Sequence, residues 1–269
     1  MSERNYPLKE VLKNRETTIG SWITLAHPAI AEIMAGAGFE WLVVDLEHSA
    51  ITLGEAAELI RVIDLRGVVP LVRVSANDPV QIKRVMDAGA HGVIVPMVNS
   101  ADEAEQAVAA VRYPPRGRRG VGLSRAQGYG TTFESYWDWV QKESIVMVQV
   151  EHIQAVNNLA AILAVDGVDG FIVGPYDLSC SLGIPGEFEH QRLAEALAEV
   201  RRVAAQSTAA AGYHVVPPQP DQVSQKLAEG YSCIAYSVDF LLLGEMCRQG
   251  LNTIRQALSV PNRVQGMKE

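Results

Sequence analysis

Short apolar segments alternate along the chain with longer segments in which apolar residues recur at helical spacing. Eight of the short segments are rich in β-branched residues, and we predict strands at residues 19–25, 41–46, 70–74, 92–97, 145–150, 170–173, 213–216 and 233–238. Continuous apolar runs, rather than strict alternation with polar residues, are typical of parallel strands that are covered on both faces. The pattern therefore favours a parallel sheet.

The segments between the strands carry helical periodicity and signals for helix ends. Helices are predicted over residues 28–38, 53–63 and 100–111, and from Asp78 onward. Asp78 followed by Pro79 is a helix start, because aspartate caps the free amides and proline suits the first helical position. Ser100 with Glu103 three residues later predicts a capping box.

Eight strands separated by helices predict a TIM barrel, the (β/α)8 member of the α/β class, formed by one domain over residues 1–269. Residues 1–18 are interpreted as a lead-in to the first strand, and residues 261–269 as a flexible polar tail. The alternative, a doubly wound sheet, usually carries a glycine-rich fingerprint after its first strand. Residues 25–28, Leu-Ala-His-Pro, contain no such fingerprint, so the barrel is favoured.

The longest interruption of the alternation runs over residues 113–139 and begins with a segment dense in arginine and glycine. We interpret it as a long βα loop after the fourth strand, on the face of a barrel where loops carry function. Arginine–glycine density also occurs in RNA-binding segments. The acidity of the whole chain makes that alternative the weaker one.

Composition excludes several classes of partner. The 269 residues include 31 acidic and 23 basic side chains, a net charge of −8, which disfavours binding to nucleic acid or to anionic membrane surfaces. No apolar run approaches the roughly 20 residues that span a bilayer, and no secretory leader is visible. Three cysteines without a CxxC pair indicate free thiols, so a cytoplasmic location is expected.

Polar side chains follow several of the predicted strands, where a barrel has its active-site mouth. Trp22 lies in the first strand, Arg73 in the third and Gln149 in the fifth. The remaining candidates follow the second, fifth and sixth strands and are Asp45, Glu47, His48, Glu151, Gly174, Pro175, Tyr176 and Asp177. Ionisable groups beside apolar runs are costly to desolvate unless they are paired or bind something. Their convergence on one rim predicts the functional site.

Two of these carboxylates are candidate metal ligands. Glu151 and Asp177 follow adjacent strands and offer hard oxygen donors, which suit Mg²⁺ or Mn²⁺ better than zinc. Asp177 could instead serve as a helix cap, because Leu178 and Ser179 follow it directly. Taken together with Glu151, the metal interpretation is favoured.

Arg73 and His48 are candidates for charge stabilisation and proton transfer. Arg73 offers a cationic fork for a carboxylate or an enolate oxygen, although an internal ion pair with Asp45 or Glu47 is the alternative. His48 can move protons if a carboxylate orients it, whereas the other five histidines are interpreted as structural. A cation, an arginine and a histidine around one pocket suit enolate formation from a small 2-oxo acid. No lysine ends a predicted strand, which disfavours a Schiff-base aldolase.

Several motifs together carry a resemblance to one known family. They lie at residues 44–48 (Val-Asp-Leu-Glu-His), 72–74 (Val-Arg-Val), 77–83 (Asn-Asp-Pro-Val-Gln-Ile-Lys), 95–98 (Val-Pro-Met-Val), 112–117 (Arg-Tyr-Pro-Pro-Arg-Gly), 149–151 (Gln-Val-Glu), 167–170 (Gly-Val-Asp-Gly) and 174–179 (Gly-Pro-Tyr-Asp-Leu-Ser). With these motifs the chain resembles the HpcH/HpaI family of metal-dependent class II pyruvate aldolases, over about residues 20–258. The resemblance implies a TIM barrel that reversibly cleaves a 4-hydroxy-2-oxo acid to pyruvate and an aldehyde.

The resemblance also implies roles for individual residues. Glu151 and Asp177 would bind a divalent cation (Mg²⁺, Mn²⁺ or Co²⁺), and Arg73 would steady the pyruvate enolate. His48 would be the general base, paired with Asp87 of a neighbouring subunit in a homohexamer built as a trimer of dimers. The remaining site residues would line the site or hold the pyruvate carboxylate: Trp22, Asp45, Glu47, Gln149, Gly174, Pro175 and Tyr176.

Three segments depart from the family's pattern, at Tyr176, residues 123–130 and residues 212–218. The departures concern the side of the site that receives the aldehyde, so the identity of the aldehyde stays open.

An alternative function is a carbon–carbon lyase that acts on acyl-CoA thioesters. The CoA diphosphate would need a basic surface, and Arg116, Arg118 and Arg119 are the candidates for it. A barrel that only binds a 2-oxo acid is the third possibility.

Overall fold

The computed structural model describes residues 6–258, and its eight parallel strands close into a barrel in chain order. The strands are β1 (Thr18–Ile23), β2 (Trp41–Asp45), β3 (Val69–Arg73), β4 (Gly92–Val95), β5 (Ile145–Val150), β6 (Gly170–Val173), β7 (Ala210–Val215) and β8 (Cys233–Val238). The predicted TIM barrel is confirmed, and the barrel is a single domain. Each predicted strand has its counterpart in the structure.

Helices connect the strands along the outside of the barrel. They are α1 (Leu8–Lys13), α2 (Pro28–Gly36), α3 (Leu53–Leu65), α4 (Pro79–Asp87), α5 (Ala101–Val111), α6 (Phe133–Lys142), α7 (Ile153–Leu163), α8 (Pro175–Ser181), α9 (Gln191–Ala204), α10 (Pro220–Ala228) and α11 (Asp239–Leu258), with a short 3₁₀ segment at Arg125–Gly130. Asp78 caps α4 as predicted, because its carboxylate accepts from the amides of Val80 and Gln81.

Several predicted boundaries were wrong by a few residues. β1 ends at Ile23 instead of residue 25, because the amides of Thr24 and Leu25 donate to the Asp239 carboxylate and leave the strand ladder. β4 ends at Val95 instead of residue 97, and Met97 has a positive φ of 53° that extended strands do not adopt. β7 starts at residue 210 within an alanine-rich segment that gives no β-branched signal.

The predicted capping box of α5 is only half formed. The Ser100 side chain accepts from the Glu103 amide at 3.2 Å, as expected. The Glu103 carboxylate, however, accepts from the amide of Asn99 and not from that of Ser100. This arrangement still satisfies an amide in the turn that follows β4.

Three of the histidines interpreted as structural are helix caps. The Nδ1 atoms of His27, His152 and His190 each accept from the backbone amide two residues further on, at the first turns of α2, α7 and α9. These bonds occupy helix amides that have no partner inside the helix. His91 instead contacts Asp64, with 3.4 Å between its Nε2 and the carboxylate.

The core has two layers. An outer layer lies between the strands and the helices, and an inner layer fills the barrel interior. The inner layer includes Leu8 and Leu12 of α1, so the N-terminal lead-in closes the end of the barrel where the strands begin. Trp41 fits into this interior because Gly20 has no side chain: a Cβ at Gly20 would lie 2.0 Å from the indole ring.

Residues 113–139 do not form the predicted βα loop. Helix α5 lies between β4 and this segment, which therefore leads from α5 into β5. Its Arg119 binds Asp87 at the end of α4, and its Arg125 binds Asp64 near the end of α3. Because these helices run antiparallel to the strands, the segment lies at the end of the barrel opposite the predicted mouth.

Residues 6–258 contain no helix that is both long and apolar enough to cross a membrane. The predicted lead-in is described from Tyr6 onward, and the tail predicted for residues 261–269 lies outside the described residues.

Candidate active site

The carboxyl ends of the strands bring most of the predicted site residues to one rim. Trp22, Asp45, Arg73 and Gln149 lie near the ends of β1, β2, β3 and β5. Glu151 directly follows β5, and Asp177 lies in the first turn of α8, just beyond β6. Parallel strands place all of these ends on the same face of the barrel.

Asp45 and Arg73 form a two-pronged ion pair across neighbouring strands. Arg73 Nε lies 2.9 Å from Asp45 Oδ1, and its terminal nitrogen lies 2.6 Å from Oδ2. Burial would raise the pKa of Asp45, but the Arg73 guanidinium and the amides of Glu47 and His48 outweigh it and hold the pKa below its usual range. The internal ion pair left open by the sequence is therefore present. It fixes Arg73 by one edge of its fork.

The rest of the Arg73 guanidinium faces other groups of the rim. Its carbon lies 4.4 Å from the centre of the Trp22 ring, a cation–π contact, and its second terminal nitrogen lies 3.3 Å from Glu47 and 3.5 Å from Gln149. These contacts hold the cation at the mouth of the barrel in a defined orientation, as binding of a substrate oxygen requires.

Glu47, Glu151 and Asp177 form a group of acidic side chains next to Arg73. Burial raises the pKa of Glu47 to about 7; Arg73 opposes the shift, whereas Asp45 and Asp177 add to it. Burial also raises the pKa of Glu151 to about 7, with further contributions from Glu47 and Asp177. Glu47 Oε2 is buried and has no hydrogen-bond partner among the described residues. These carboxylates therefore crowd more negative charge than their surroundings neutralise.

Glu151 is held in place from two sides. One carboxylate oxygen accepts from the Met97 amide at 2.6 Å, and the other accepts from the Gln149 side chain. The positive φ of Met97 turns this amide toward the carboxylate at the end of β4. Strained backbone of this kind persists where the surrounding structure requires it, and it clusters at functional sites.

A small cavity of about 50 Å³ lies between these residues, and seven of the twelve predicted site residues line it. Its lining consists of Trp22, Arg73, Gln149, Ile172, Val173, Gly174, Pro175, Tyr176, Asp177, His214 and Val216. The exposed ring of Tyr176 packs edge-on against Phe188, with 4.7 Å between the ring centres. His214 also lines the cavity, so its interpretation as a structural histidine missed a position at the rim, although residues 212–218 depart from the family's pattern on the aldehyde side.

Gly174 provides the space that this arrangement needs. A Cβ at this position would lie 3.2 Å from Gln149 Nε2 and 3.3 Å from the Glu151 Cβ, closer than most packed side chains allow. We expect Gly174→Ala to lower turnover about ten-fold with little loss of stability, because it displaces the Glu151 carboxylate. Gly54→Ala is the control, since that site has free space in an exposed helix. Equal activity of the two variants would contradict this role.

His48 and Asp87 are not brought together within one chain. His48 follows β2 at the mouth, has a largely exposed side chain, and lies 3.8 Å from Glu47. Asp87 ends α4 at the opposite end of the barrel, where it accepts from Arg119 at 2.5 Å and from Gln127 at 3.4 Å. A direct pairing of His48 with Asp87 is therefore possible only between two subunits.

The donor set at the mouth fits a divalent cation. Among residues 6–258 no three His, Cys, Asp or Glu side chains are arranged as a closed metal site. Glu151 and Asp177 would instead supply two oxygen ligands and leave the other positions to water and substrate, the usual arrangement for Mg²⁺. Glu47 Oε2 is buried and has an ionic contact with Arg73 but no hydrogen bond within residues 6–258, and burial raises the pKa values of Glu47 and Glu151, so an added positive charge is favoured here.

The three arginines considered for a CoA diphosphate do not form one surface. Arg119 is buried against Asp87 and Tyr136. Arg118 lines a groove between α4 and α5 that the largely buried Arg119 also borders, whereas Arg116 lines a different groove near α1 and β7. None of the three lines the cavity at the mouth. The acyl-CoA alternative therefore gains no support from the structure.

The barrel and its rim define the class of protein: a TIM-barrel enzyme whose site combines carboxylates, an arginine and a histidine around a small cavity. Comparisons with known proteins give the family. Residues 18–244 match the family described as HpcH/HpaI aldolase/citrate lyase. The chain is 38% identical to a 2-keto-3-deoxy-L-rhamnonate aldolase of Escherichia coli O6:K15:H31 over 263 residues, which are 97% of each chain.

Solved structures agree with this match. A HpcH/HpaI aldolase/citrate lyase family protein from Burkholderia cenocepacia J2315 superposes with a TM-score of 0.88 at 34% identity, covering 92% of this chain and 98% of its own. A HpcH/HpaI aldolase from Desulfitobacterium hafniense DCB-2 gives a TM-score of 0.84 at 32% identity, with 92% and 96% covered. The chain belongs to the HpcH/HpaI aldolase/citrate lyase family, and its class of activity is that of a carbon–carbon lyase.

Proposed function

We propose that the protein is a class II pyruvate aldolase, which reversibly cleaves a 4-hydroxy-2-oxo acid to pyruvate and an aldehyde with the help of a divalent cation. The observation that carries the proposal is the position of Arg73 and Asp177 in the lining of one cavity at the barrel mouth, with the Glu151 carboxylate bonded to Gln149, another lining residue. Enolate formation places negative charge on an oxygen, and this site offers a fixed cation and two metal ligands for it.

Glu151 and Asp177 would hold the cation, with Mg²⁺, Mn²⁺ and Co²⁺ as the candidates. Once bound, the cation would polarise the 2-oxo group and offset the charge that develops on it. The Gly174 amide donates to the Val150 carbonyl at 3.1 Å, so it is already used. The free amides at the first turn of α8, at Tyr176 and Asp177, are left for the pyruvate carboxylate.

The remaining roles follow from the chemistry of cleavage. His48 takes the proton of the 4-hydroxyl group, the C3–C4 bond breaks, and its electron pair becomes part of the pyruvate enolate while the aldehyde departs. Arg73 donates hydrogen bonds to the enolate oxygen. Asp45 keeps the Arg73 fork in place, and Gln149 does the same for Glu151. Trp22, Glu47, Gly174, Pro175 and Tyr176 shape the substrate pocket.

Cleavage of 2-keto-3-deoxy-L-rhamnonate, the substrate in the name of the E. coli relative, is the direct test. Pyruvate released by chelator-treated protein is measured in a coupled assay before and after Mg²⁺, Mn²⁺ or Co²⁺ is added back. We expect release that depends on the added cation. Equal turnover with and without chelator would contradict the role of the cation, whereas no cleavage of this or any other 4-hydroxy-2-oxo acid would contradict the aldolase function.

The raised pKa of Glu47 predicts a pH-dependent stability. The pKa lies at about 7 in the folded protein instead of 4.5, so the folded state binds the proton more tightly than the unfolded state does. Protonation of Glu47 therefore contributes fully to the free energy of unfolding below about pH 4.5, and this contribution is lost as pH rises through 7. Glu47→Gln removes the titration, and we expect the metal-free variant to gain about 3 kcal/mol over wild type between pH 4.5 and pH 8.

Urea unfolding of both chains in the presence of chelator measures this difference. Comparison with wild type cancels the opposite contribution of His214, whose pKa burial lowers to about 4. If the free energies of unfolding of wild type and Glu47→Gln differed by the same amount at every pH, the prediction of a raised pKa for Glu47 would be contradicted.

We further propose a homo-oligomer, a hexamer built as a trimer of dimers, in which Asp87 of one subunit pairs with His48 of another. The separation of these residues within the chain supports the proposal, as does the surface of α11. Only Asp239 of the 20 residues in α11 is buried, whereas Leu243, Met246 and Ile254 are exposed. An apolar helix face of this length usually packs against a partner.

The exposed thiols of Cys180 and Cys247 support the reducing cytoplasm as the location of the protein.

Mixing two inactive variants tests the shared site. His48→Ala and Asp87→Ala subunits are unfolded together and refolded as hybrids, in which roughly a quarter of the shared pairs are intact. We expect partial recovery of activity. Glu151→Gln mixed with Asp177→Ala is the control, because both side chains come from one chain and no hybrid restores them. Absence of recovery in the first mixture, with hybrids shown by native mass spectrometry, would remove Asp87 from the site.

A further inference from the structure

The end of β8 carries a distortion next to His214, which lines the active-site cavity. Along β1 and β8, Gly20 pairs with Ala235 but Trp22 pairs with Val238, so β8 contains one extra residue. Ser237 lies at this bulge and has a positive φ of 54°, which a serine adopts only under constraint. Bulges and strained residues of this kind redirect groups next to active sites.

The redirected group is the Ser237 carbonyl, which meets His214 on β7. The distance from His214 Nε2 to this oxygen is 3.2 Å. Because a carbonyl only accepts, Nε2 must carry the proton of this bond. The Nδ1 atom of a neutral imidazole is then an acceptor, and it has no hydrogen-bond partner within residues 6–258. Burial and the charge of Arg73 lower the pKa of His214 to about 4, which keeps the ring neutral.

His214 is also fixed from its other side. Its ring lies 5.3 Å from the Trp22 ring, and Trp22 in turn lies against Arg73. The half-buried imidazole lines the same cavity as Arg73, Gln149 and Asp177. A neutral ring with one fixed tautomer therefore forms part of the wall around the substrate.

The other polar groups of this wall are of a different kind. Arg73 offers donors, the amides at the start of α8 offer donors, and Asp177 is a proposed ligand of the cation. Such groups suit the carboxylate and 2-oxo oxygens of pyruvate, which carry negative charge or lone pairs. Gln149 is engaged at both ends, since its oxygen lies 3.5 Å from Arg73 and its nitrogen is bonded to Glu151. Tyr176 is 48% exposed and packs its ring against Phe188.

A lone pair on His214 Nδ1 repels the pyruvate oxygens and matches a hydroxyl donor. The 4-hydroxyl of the substrate is assigned to His48, so the donor left for His214 is a further hydroxyl group on the portion that departs as the aldehyde.

We propose that His214 is a specificity-determining residue that accepts a hydrogen bond from a hydroxyl group on the acceptor aldehyde. The inference rests on the proposed aldolase function and deepens it by naming the substrate class: hydroxyaldehydes are favoured over aldehydes with an alkyl chain or a terminal carboxylate. Discrimination of this kind follows when a site group is left without its partner by the analogue that lacks the hydroxyl.

Aldol addition of pyruvate to lactaldehyde and to propanal, which differ by one hydroxyl group, tests the proposal. The readout is the ratio of the two kcat/KM values, so any loss common to both aldehydes cancels. We expect wild type to prefer lactaldehyde and the ratio to fall about ten-fold in His214→Leu. His214→Gln keeps an acceptor and should retain most of the preference. Val216→Ala is the matched control, since it changes the same cavity without changing a hydrogen bond.

Deuterium exchange of the pyruvate methyl group is recorded on the same preparations. A His214→Leu ratio equal to that of wild type, with exchange intact, would overturn the role of His214 alone. A wild-type protein that enolises pyruvate but shows no preference for lactaldehyde would do the same. Folded wild type that does not exchange pyruvate would contradict the aldolase function itself. If His214→Leu fails to fold, the lactaldehyde-to-propanal ratio of kcat/KM is compared between His214→Gln and Val216→Ala. Loss of the preference for lactaldehyde in His214→Gln alone would then contradict the proposal.

Discussion

Replacement of Glu151 by glutamine is expected to lower aldol turnover by a factor of a thousand or more, on the order of what removal of a metal ligand costs. The substitution removes the charge and keeps the size of the side chain. Its amide oxygen can still accept from the Met97 amide, but its amide nitrogen cannot accept from Gln149 Nε2, so that second contact is lost. Mn²⁺ affinity, measured by calorimetry, should fall in parallel. The fold should be retained, because a neutral amide is easier to bury than a carboxylate.

The matched control is Glu103→Gln. Glu103 also accepts from a backbone amide in a loop on the mouth side of the barrel, but its partner is Asn99, whereas Glu151 bonds Gln149 in the lining of the cavity. We expect turnover and Mn²⁺ affinity within two-fold or so of wild type for this variant, as for substitutions away from a functional site. Glu151→Gln protein that binds Mn²⁺ and turns over like wild type would contradict the assignment of Glu151 as a metal ligand.

Replacement of Arg73 by methionine is expected to affect both activity and stability. Removal of the cation from the enolate oxygen should lower kcat by about 10²- to 10³-fold. The same change leaves Asp45, which is 1% exposed, without its ionic partner, and breaking a buried pair costs about 3–5 kcal/mol. Urea unfolding and steady-state kinetics measure the two effects separately.

Two further variants separate these effects. Arg73→Met combined with Asp45→Asn removes the orphaned charge, and we expect stability to recover without activity. Lys9→Met breaks the ion pair with Asp169, which directly precedes β6 at the opposite end of the barrel. This pair does not involve the partners of Asp87, so its loss should lower stability and leave the chemistry unchanged. Recovery of activity in the double variant would mean that Arg73 acts only by holding Asp45.

Much of the fold follows from local sequence. The β-branched runs of β2, β5 and β6 are buried on both faces, so hydrophobicity alone locates these strands. The ends of elements are less predictable because tertiary contacts decide them. β1 stops where the Asp239 carboxylate captures the amides of Thr24 and Leu25, and Asp239 is more than 200 residues away in the sequence.

The rim could be predicted because strand order alone brings the strand ends together. The polar residues after β2, β3, β5 and β6 lie on one face of the barrel whatever their exact conformations. Residues 113–139 show where such reasoning fails: α5 had already returned the chain to the opposite end before this segment began. Because α5 follows β4, residues 113–139 form an αβ connection, which lies at the end of the barrel where the strands begin.

His214 illustrates what sequence could not provide. Its importance rests on a bulge in β8 and on the strained carbonyl of Ser237, and neither has a signature in composition or periodicity. The raised pKa values of Glu47 and Glu151 are similarly a product of packing, because burial is their largest cause. Residue types predicted the chemistry of the rim, whereas the tuning of its groups needed the structure.

Deuterium exchange of the pyruvate methyl group in D₂O, followed by proton NMR, tests the central claim most directly. It requires no choice of aldehyde and reports enolate formation itself. The account predicts exchange in wild type that depends on Mg²⁺, Mn²⁺ or Co²⁺ and is abolished by chelator and by Glu151→Gln. Folded, cation-supplied protein that leaves the methyl signal unchanged would contradict the assignment of this barrel as a pyruvate aldolase.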